Sequence, residues 1–91
     1  MNWITISWMA EKQPVKIYEV VIFIGETRIS WICADVRHDE DGFLICDPCP
    51  ELTPEIAEKW RINAEAKLIK TETWINTRQV HSVEELGEIN E

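Results

Sequence analysis

The chain has 91 residues, 45% of them hydrophobic, with nine basic and seventeen acidic side chains and a net charge of −8. That length supports one small domain with one core and little apolar mass to spare for a deep internal cleft. The charge argues against binding a phosphate backbone, which needs clustered Lys and Arg, and no apolar run approaches the length of a membrane span.

The placement of charge says more than its total. Residues 1–38 balance four acids against four bases, residues 39–58 hold seven acids and no base, and residues 82–91 carry four acids alone. Such blocks suit a basic partner, or simply solubility. Met1 to Lys12 has neither a basic n-region nor a long apolar h-region, so no secretory signal is expected. Three cysteines without an export signal indicate a reducing, cytoplasmic setting and either free thiols or a metal.

Trp3 to Trp8 alternates, with Ile4, Ile6 and Trp8 on one side, and reads as a half-buried strand. Val15 to Val36 then reads as two strands folded back at Gly25-Glu26. A Gly at the first central position suits a type II′ turn and predicts that Ile24 faces Thr27. In that register Ile22 meets Ile29, Val20 meets Trp31 and Tyr18 meets Cys33. One face, from Tyr18 through Ile24 and from Thr27 through Cys33, is almost wholly apolar and is the expected core. The other mixes Glu19, Arg28 and Ser30 with Val21, Phe23 and Ile32, so it is expected to be covered by another element or used for docking. Asp39 to Gly42 is a turn, and Phe43 to Cys46 a third strand.

Thr53 and Pro54 open a helix as N-cap and first residue, and Lys67 and Lys70 fall near its expected end. Ile56, Ala57, Trp60, Ala64 and Leu68 form its core stripe, leaving Ile62, Ala66 and Ile69 as a patch on the far side. Thr71 to Val80 reads as a last strand, with Thr71, Thr73 and Ile75 alternating against Glu72, Trp74 and Asn76. Ser82 to Glu85 matches a capping box that Gly87 would close after one turn, within an acidic C-terminal tail at 82–91. The expected fold is therefore a single α+β domain over residues 1–91. It is an antiparallel sheet of four to five strands, a meander around the hairpin at 15–36, with one helix packed on one face.

Chemistry-bearing constellations are sparse. Cys46-Asp47-Pro48-Cys49 would present two thiolates to one zinc ion, with Cys33, His38 or His81 as further ligands; the competing reading is small buried cysteines. His38 to Gly42 fails as a calcium loop, because Arg37 and Pro48 would occupy positions that require acids. No glycine-rich phosphate loop is present, and neither histidine falls in a nucleophile signature. The expectation is a protein that is not an enzyme and carries no cofactor beyond that zinc option.

Asn2-Trp3-Ile4-Thr5-Ile6, Pro14, Val20-Val21-Ile22-Phe23 and Thr73-Trp74-Ile75 resemble a family of small phage and prophage proteins of unknown function (DUF551-type). The likeness spans residues 2–36 and 71–76; Glu72-Thr73-Trp74 lacks the family's histidine, and Asn76-Thr77-Arg78 replaces its Pro-rich ending. What the resemblance implies is context: a small accessory protein acting in the cytoplasm of a bacterial host.

The functional expectation is an acidic binding protein, an inhibitor of a host protein in the manner of anti-CRISPR and other anti-defence proteins. Asp39, Glu40, Asp41, Asp47, Glu51, Glu55 and Glu58 would meet a basic surface on that partner. A second copy of the chain is a further candidate for the mixed hairpin face. The alternative is a zinc-stabilised adaptor built on Cys46, Cys49 and Cys33.

Overall fold

The hairpin is built in the expected register. The computed structural model describes residues 14–89, so the expected strand at Trp3–Trp8 lies outside the described residues. Strand β1 (Val15–Ile24) pairs antiparallel with β2 (Thr27–His38), setting Ile24 opposite Thr27, Ile22 opposite Ile29, Val20 opposite Trp31 and Tyr18 opposite Cys33. Gly25 has φ +65 and Glu26 is not among the residues with positive φ. Positive φ at the first central position alone is the mark of the type II′ turn.

Beyond the hairpin come β3 (Phe43–Asp47), helix α1 (Pro54–Lys59), β4 (Lys67–Leu68), β5 (Thr73–Asn76) and β6 (Val80–Ile89), with a 3-10 turn at Thr77–Gln79. The strands join one sheet in the order β5-β3-β2-β1-β6, with β4 pairing parallel to β2. The architecture is an α+β arrangement with a mostly antiparallel sheet. Among the described residues it has six strands rather than the four to five expected. The additional strands, β4 and β6, come from segments whose patterns read as helix or tail.

The expected long helix stops at Lys59. Arg61 takes φ 55, and the Arg61 N–H donates to Glu58 O (3.1 Å) while the Ile62 N–H donates to Ala57 O (2.9 Å). Those two bonds close a Schellman motif, which satisfies the last carbonyls and turns the chain. Asn63 prevents a restart. Its side chain accepts from the Glu65 N–H (2.9 Å), and its carbonyl accepts from the Ala66 N–H (2.9 Å), a local turn that competes with helical bonding. Leu68 therefore enters the core from a strand.

The expected one-turn helix at 82–87 is also replaced. Residues Val80–Ile89 pair with β1 from Val15↔Ile89 to Ile22↔Val80, through two register shifts. The outer edge of β1 carries backbone donors and acceptors that burial would otherwise orphan. A ladder of that length outweighs a single turn of helix, whose nucleation is unfavourable.

The apolar hairpin face forms the expected core except near the turn. The mixed face takes the first of its two expected roles, cover by another element. Val20, Ile22 and Cys33 are buried with Leu44, Cys46, Ile69 and Ile75, but Ile24 is 54% exposed. The mixed face holds Ile17 and Ile32 at 0% exposure, with Ala34 and Val21 also buried. Leu52, Trp60, Ile62, Ala66 and Leu68, from α1 and its flanks, pack against Ile17, Ile32 and Ala34. The polar members of that face serve each other: the Ser30 hydroxyl donates to Glu19 Oε2 at 2.5 Å. Ile62, Ala66 and Ile69 do not form a free patch, since the first two join this cluster and Ile69 is buried in the other. Among the described residues, no helix is long and apolar enough to cross a membrane.

Strand β2 serves different neighbours along its length. Asp35 has φ 44 and marks a register shift between Ala34 and Val36. Before it, Trp31 and Ile32 pair with β4; from Ala34 onward β2 pairs with β3.

Candidate protein-interaction site

The acids singled out in the sequence fall on separate elements. Asp39 shapes the β2–β3 turn: its side chain accepts from the Asp41 N–H at 3.2 Å and its N–H donates to Phe43 O at 2.8 Å. Glu40 and Asp41 are exposed in that turn. Asp47 stands at the other end of β3, about 15 Å away at ~3.3 Å per residue. There Arg37 bridges it, with Nη2 3.0 Å from Asp47 Oδ1 and 3.5 Å from Glu72 Oε2. Glu51, Glu55 and Glu58 are exposed on α1 and the loop before it, beyond the Pro48–Pro50 break. The structure thus places Asp39–Asp41 and Asp47 around β3 and leaves the remaining three on a different element.

Between the two ends of β3 lies an aromatic pair. Phe43 on β3 and Trp74 on β5 have ring centroids 5.9 Å apart at 54°. Trp74 is 51% exposed, and its indole N–H donates to Glu72 Oε1 at 2.9 Å. The ladder places Trp74 beside Ile45, and Ile45 beside Arg37. The Thr77 N–H and hydroxyl both donate to Gly42 O, at 3.1 and 3.0 Å, and so tie the end of β5 to the acidic turn. Gly42 reaches φ +88 to make this possible. A large exposed aromatic therefore sits with acids at either end, held by backbone ladder and ion pairs.

Sequence reasoning did not single out Trp74 or this pair. The signal was present: the alternation sets Trp74 with Glu72 and Asn76 and opposite Ile75, which is buried. Trp74 therefore belonged to the polar face.

The structure does not bring the candidate zinc ligands together as one set among the described residues. Cys33 and Cys46 are both at 0% exposure in the cluster with Val20 and Leu44, whereas Cys49 packs against the Ile17–Ile32 cluster and its thiol donates to Pro50 O. Among the described residues, no three His, Cys, Asp or Glu side chains stand together as a metal site. The strand puts Cys46 inside the sheet, and the Pro-rich break carries Cys49 to a different cluster. His38 is exposed at the end of β2, and His81 lies edge-on to Phe23 at 5.1 Å. The shallow pocket beside Cys49 is lined by Glu51, Leu68 and Lys70, with no histidine.

Two thiols, Cys33 and Cys49, are set up for inertness; the hydrogen bond with Cys33 lowers the Cys46 thiol, which its complete burial shields from reagents. The hydrogen bond with Cys46, then burial, pushes the Cys33 thiol far above its ordinary range. Burial alone pushes Cys49 from 9.0 up to about 11. Because the unfolded Cys49 thiol ionises first, the folded state keeps its full advantage below pH 9 and loses it as pH climbs from about 9 to about 11. Chemical denaturation between pH 8 and 11 is expected to show midpoints falling across that interval, and falling less in Cys49→Ala. At neutral pH a thiol reagent is expected to label Cys49 slowly, and Cys33 and Cys46 only on unfolding.

Comparison with known protein families, characterised proteins and solved structures returned no match to this chain.

Proposed function

We propose that this chain is a non-enzymatic protein-binding module that inhibits a host protein by docking on a basic surface. It would be a phage- or mobile-element-encoded product of the anti-defence, anti-CRISPR-like kind, acting in the host cytoplasm. The observation that carries the reading is the exposed Trp74, packed on the half-buried Phe43, with Asp47 and Glu72 at one end and Asp39–Asp41 at the other. Binding energy in protein interfaces concentrates on a few aromatic anchors, and surrounding polar groups exclude water and select the partner. Acids around an aromatic anchor favour Lys and Arg opposite and steer association. The zinc-adaptor alternative has no ligand set to support it among the described residues.

The test is capture of the partner from a host lysate by the full chain, followed by affinity measurement across salt concentrations. Trp74→Ala is expected to weaken binding by about 2 kcal/mol or more, roughly thirtyfold. Its effect on stability should be about 1 kcal/mol, the scale of the aromatic contact with Phe43 that it gives up. Reversing Asp39, Glu40 and Asp41 to Lys should slow association and flatten its salt dependence. Binding that ignores both Trp74→Ala and ionic strength would sink the proposal.

A further inference from the structure

A second surface, on the opposite side of β2 from β1, goes beyond that reading. An open groove of about 380 Å³ has Arg28, Ile29, Ser30 and Trp31 along one wall and Asn63, Glu65 and Lys67 along the other. Consecutive strand residues point to alternate faces, so a groove lined by four in a row runs along the strand's edge, where its backbone groups are presented.

The hairpin turn determines which groups those are. Ile24 and Thr27 flank a two-residue turn and form a hydrogen-bonded pair, and the alternation of an antiparallel ladder follows from there. Thr27, Ile29 and Trp31 therefore spend their N–H and C=O groups on β1. Arg28, Ser30 and Ile32 direct theirs away from it. Ile32 confirms the phase, because its carbonyl accepts from the Ile69 N–H at 2.8 Å on that outer side. Strand β4 pairs on the outer side at Trp31 and Ile32, and in this phase its Lys67 N–H takes the Ser30 carbonyl. Before Lys67 the chain bends away through the Asn63 turn. Among the described residues, no strand pairs with Thr27–Ile29 on that side.

We infer that the Arg28–Ser30 edge is a strand-addition site for an extended segment of a partner protein, in which an acidic residue beside Arg28 alternates with apolar residues beside Ile29 and Trp31. The Arg28 donor and acceptor and the Ser30 donor have the spacing of one ladder repeat, and an added strand would continue the line that β4 abandons. Charge complementarity selects the occupant. In a chain of net charge −8, this groove brings Arg28 and Lys67 together against Glu65 alone. Ile29 and Trp31, both half-buried, offer apolar surface to the alternate positions.

The test follows backbone amide exchange by NMR in the full chain, with a capped pentapeptide alternating Val and Glu as the probe. In the free protein the Arg28 and Ser30 amides should exchange faster than those of Ile29 and Trp31, and the peptide should protect them. Arg28→Glu, an exposed substitution, should weaken the Glu peptide by about tenfold, the scale of one charge-assisted contact, and transfer preference to a pentapeptide alternating Val and Lys. Arg28 and Ser30 amides already protected in the free chain would mean that the edge is filled by a segment of its own, and would overturn the inference. So would peptide-induced changes confined to other residues, or equal binding of the Glu and Lys peptides.

Discussion

Replacing Ile32 by alanine is expected to cost about 2–5 kcal/mol, the range for truncating a fully buried aliphatic side chain. Ile24→Ala, on the same hairpin, should stay within about 0.5 kcal/mol, as for other exposed positions. Ile32 is at 0% exposure in the cluster under Trp60 and Leu68, whereas Ile24 stands at 54% beside the hairpin turn. The side chains are identical, so transfer free energy per residue is the same and only burial differs. Urea denaturation of both variants measures the contrast. Equal losses would mean that the mixed face of the hairpin is not the packed one.

Gly87→Ala is the second large expected effect, a loss of about 1–3 kcal/mol from overpacking. A Cβ at Gly87 would stand 2.5 Å from Trp60 Cζ2, 2.6 Å from Cε2 and 2.9 Å from Nε1. These are atoms of a rigid indole wedged over β6, not the far end of a flexible chain. Gly87 pairs with Ile17, whose side chain is at 0% exposure in the same cluster. The indole can retreat only by opening the cover over Ile17 and Ile32. A double-mutant cycle with Trp60→Leu tests the mechanism. The Gly87→Ala penalty should shrink in the Trp60→Leu background, and two additive penalties would exclude indole contact as the cause.

Those two positions show what could be read in advance. The hairpin was legible because Gly25-Glu26 sets a register and strand alternation does the rest. The role of each face was not, because alternation says which residues share a side and not what covers it. Glu19 and Ser30 argued for water on the mixed face. They instead bond each other, and the cover comes from residues 52–68, far along the chain. The helix end was readable in principle at Asn63, but Arg61 in the left-handed region carries no sequence signal of the kind a glycine would. Gly87 fitted a helix C-cap equally well, and only the approach of Trp60 gives it another purpose. For the candidate site, Asp39–Asp41 and Asp47 could be named from charge alone. Their aromatic companion was not named, although it shares a strand face with the polar Glu72 and Asn76.

The pairing of β1 with β6 has a consequence for how the protein is made. Val15 meets Ile89, so the two strands that complete the sheet lie at opposite ends of the described chain. The hairpin can close within microseconds of its synthesis, but β1 then waits through the translation of every intervening element before its second edge is covered. At a few to twenty residues per second, that leaves an apolar strand edge open for seconds on the ribosome, a window in which a chaperone, or a neighbouring nascent chain, can pair with it first. Synonymous changes that slow translation between residues 40 and 80 would lengthen that window without altering the finished molecule.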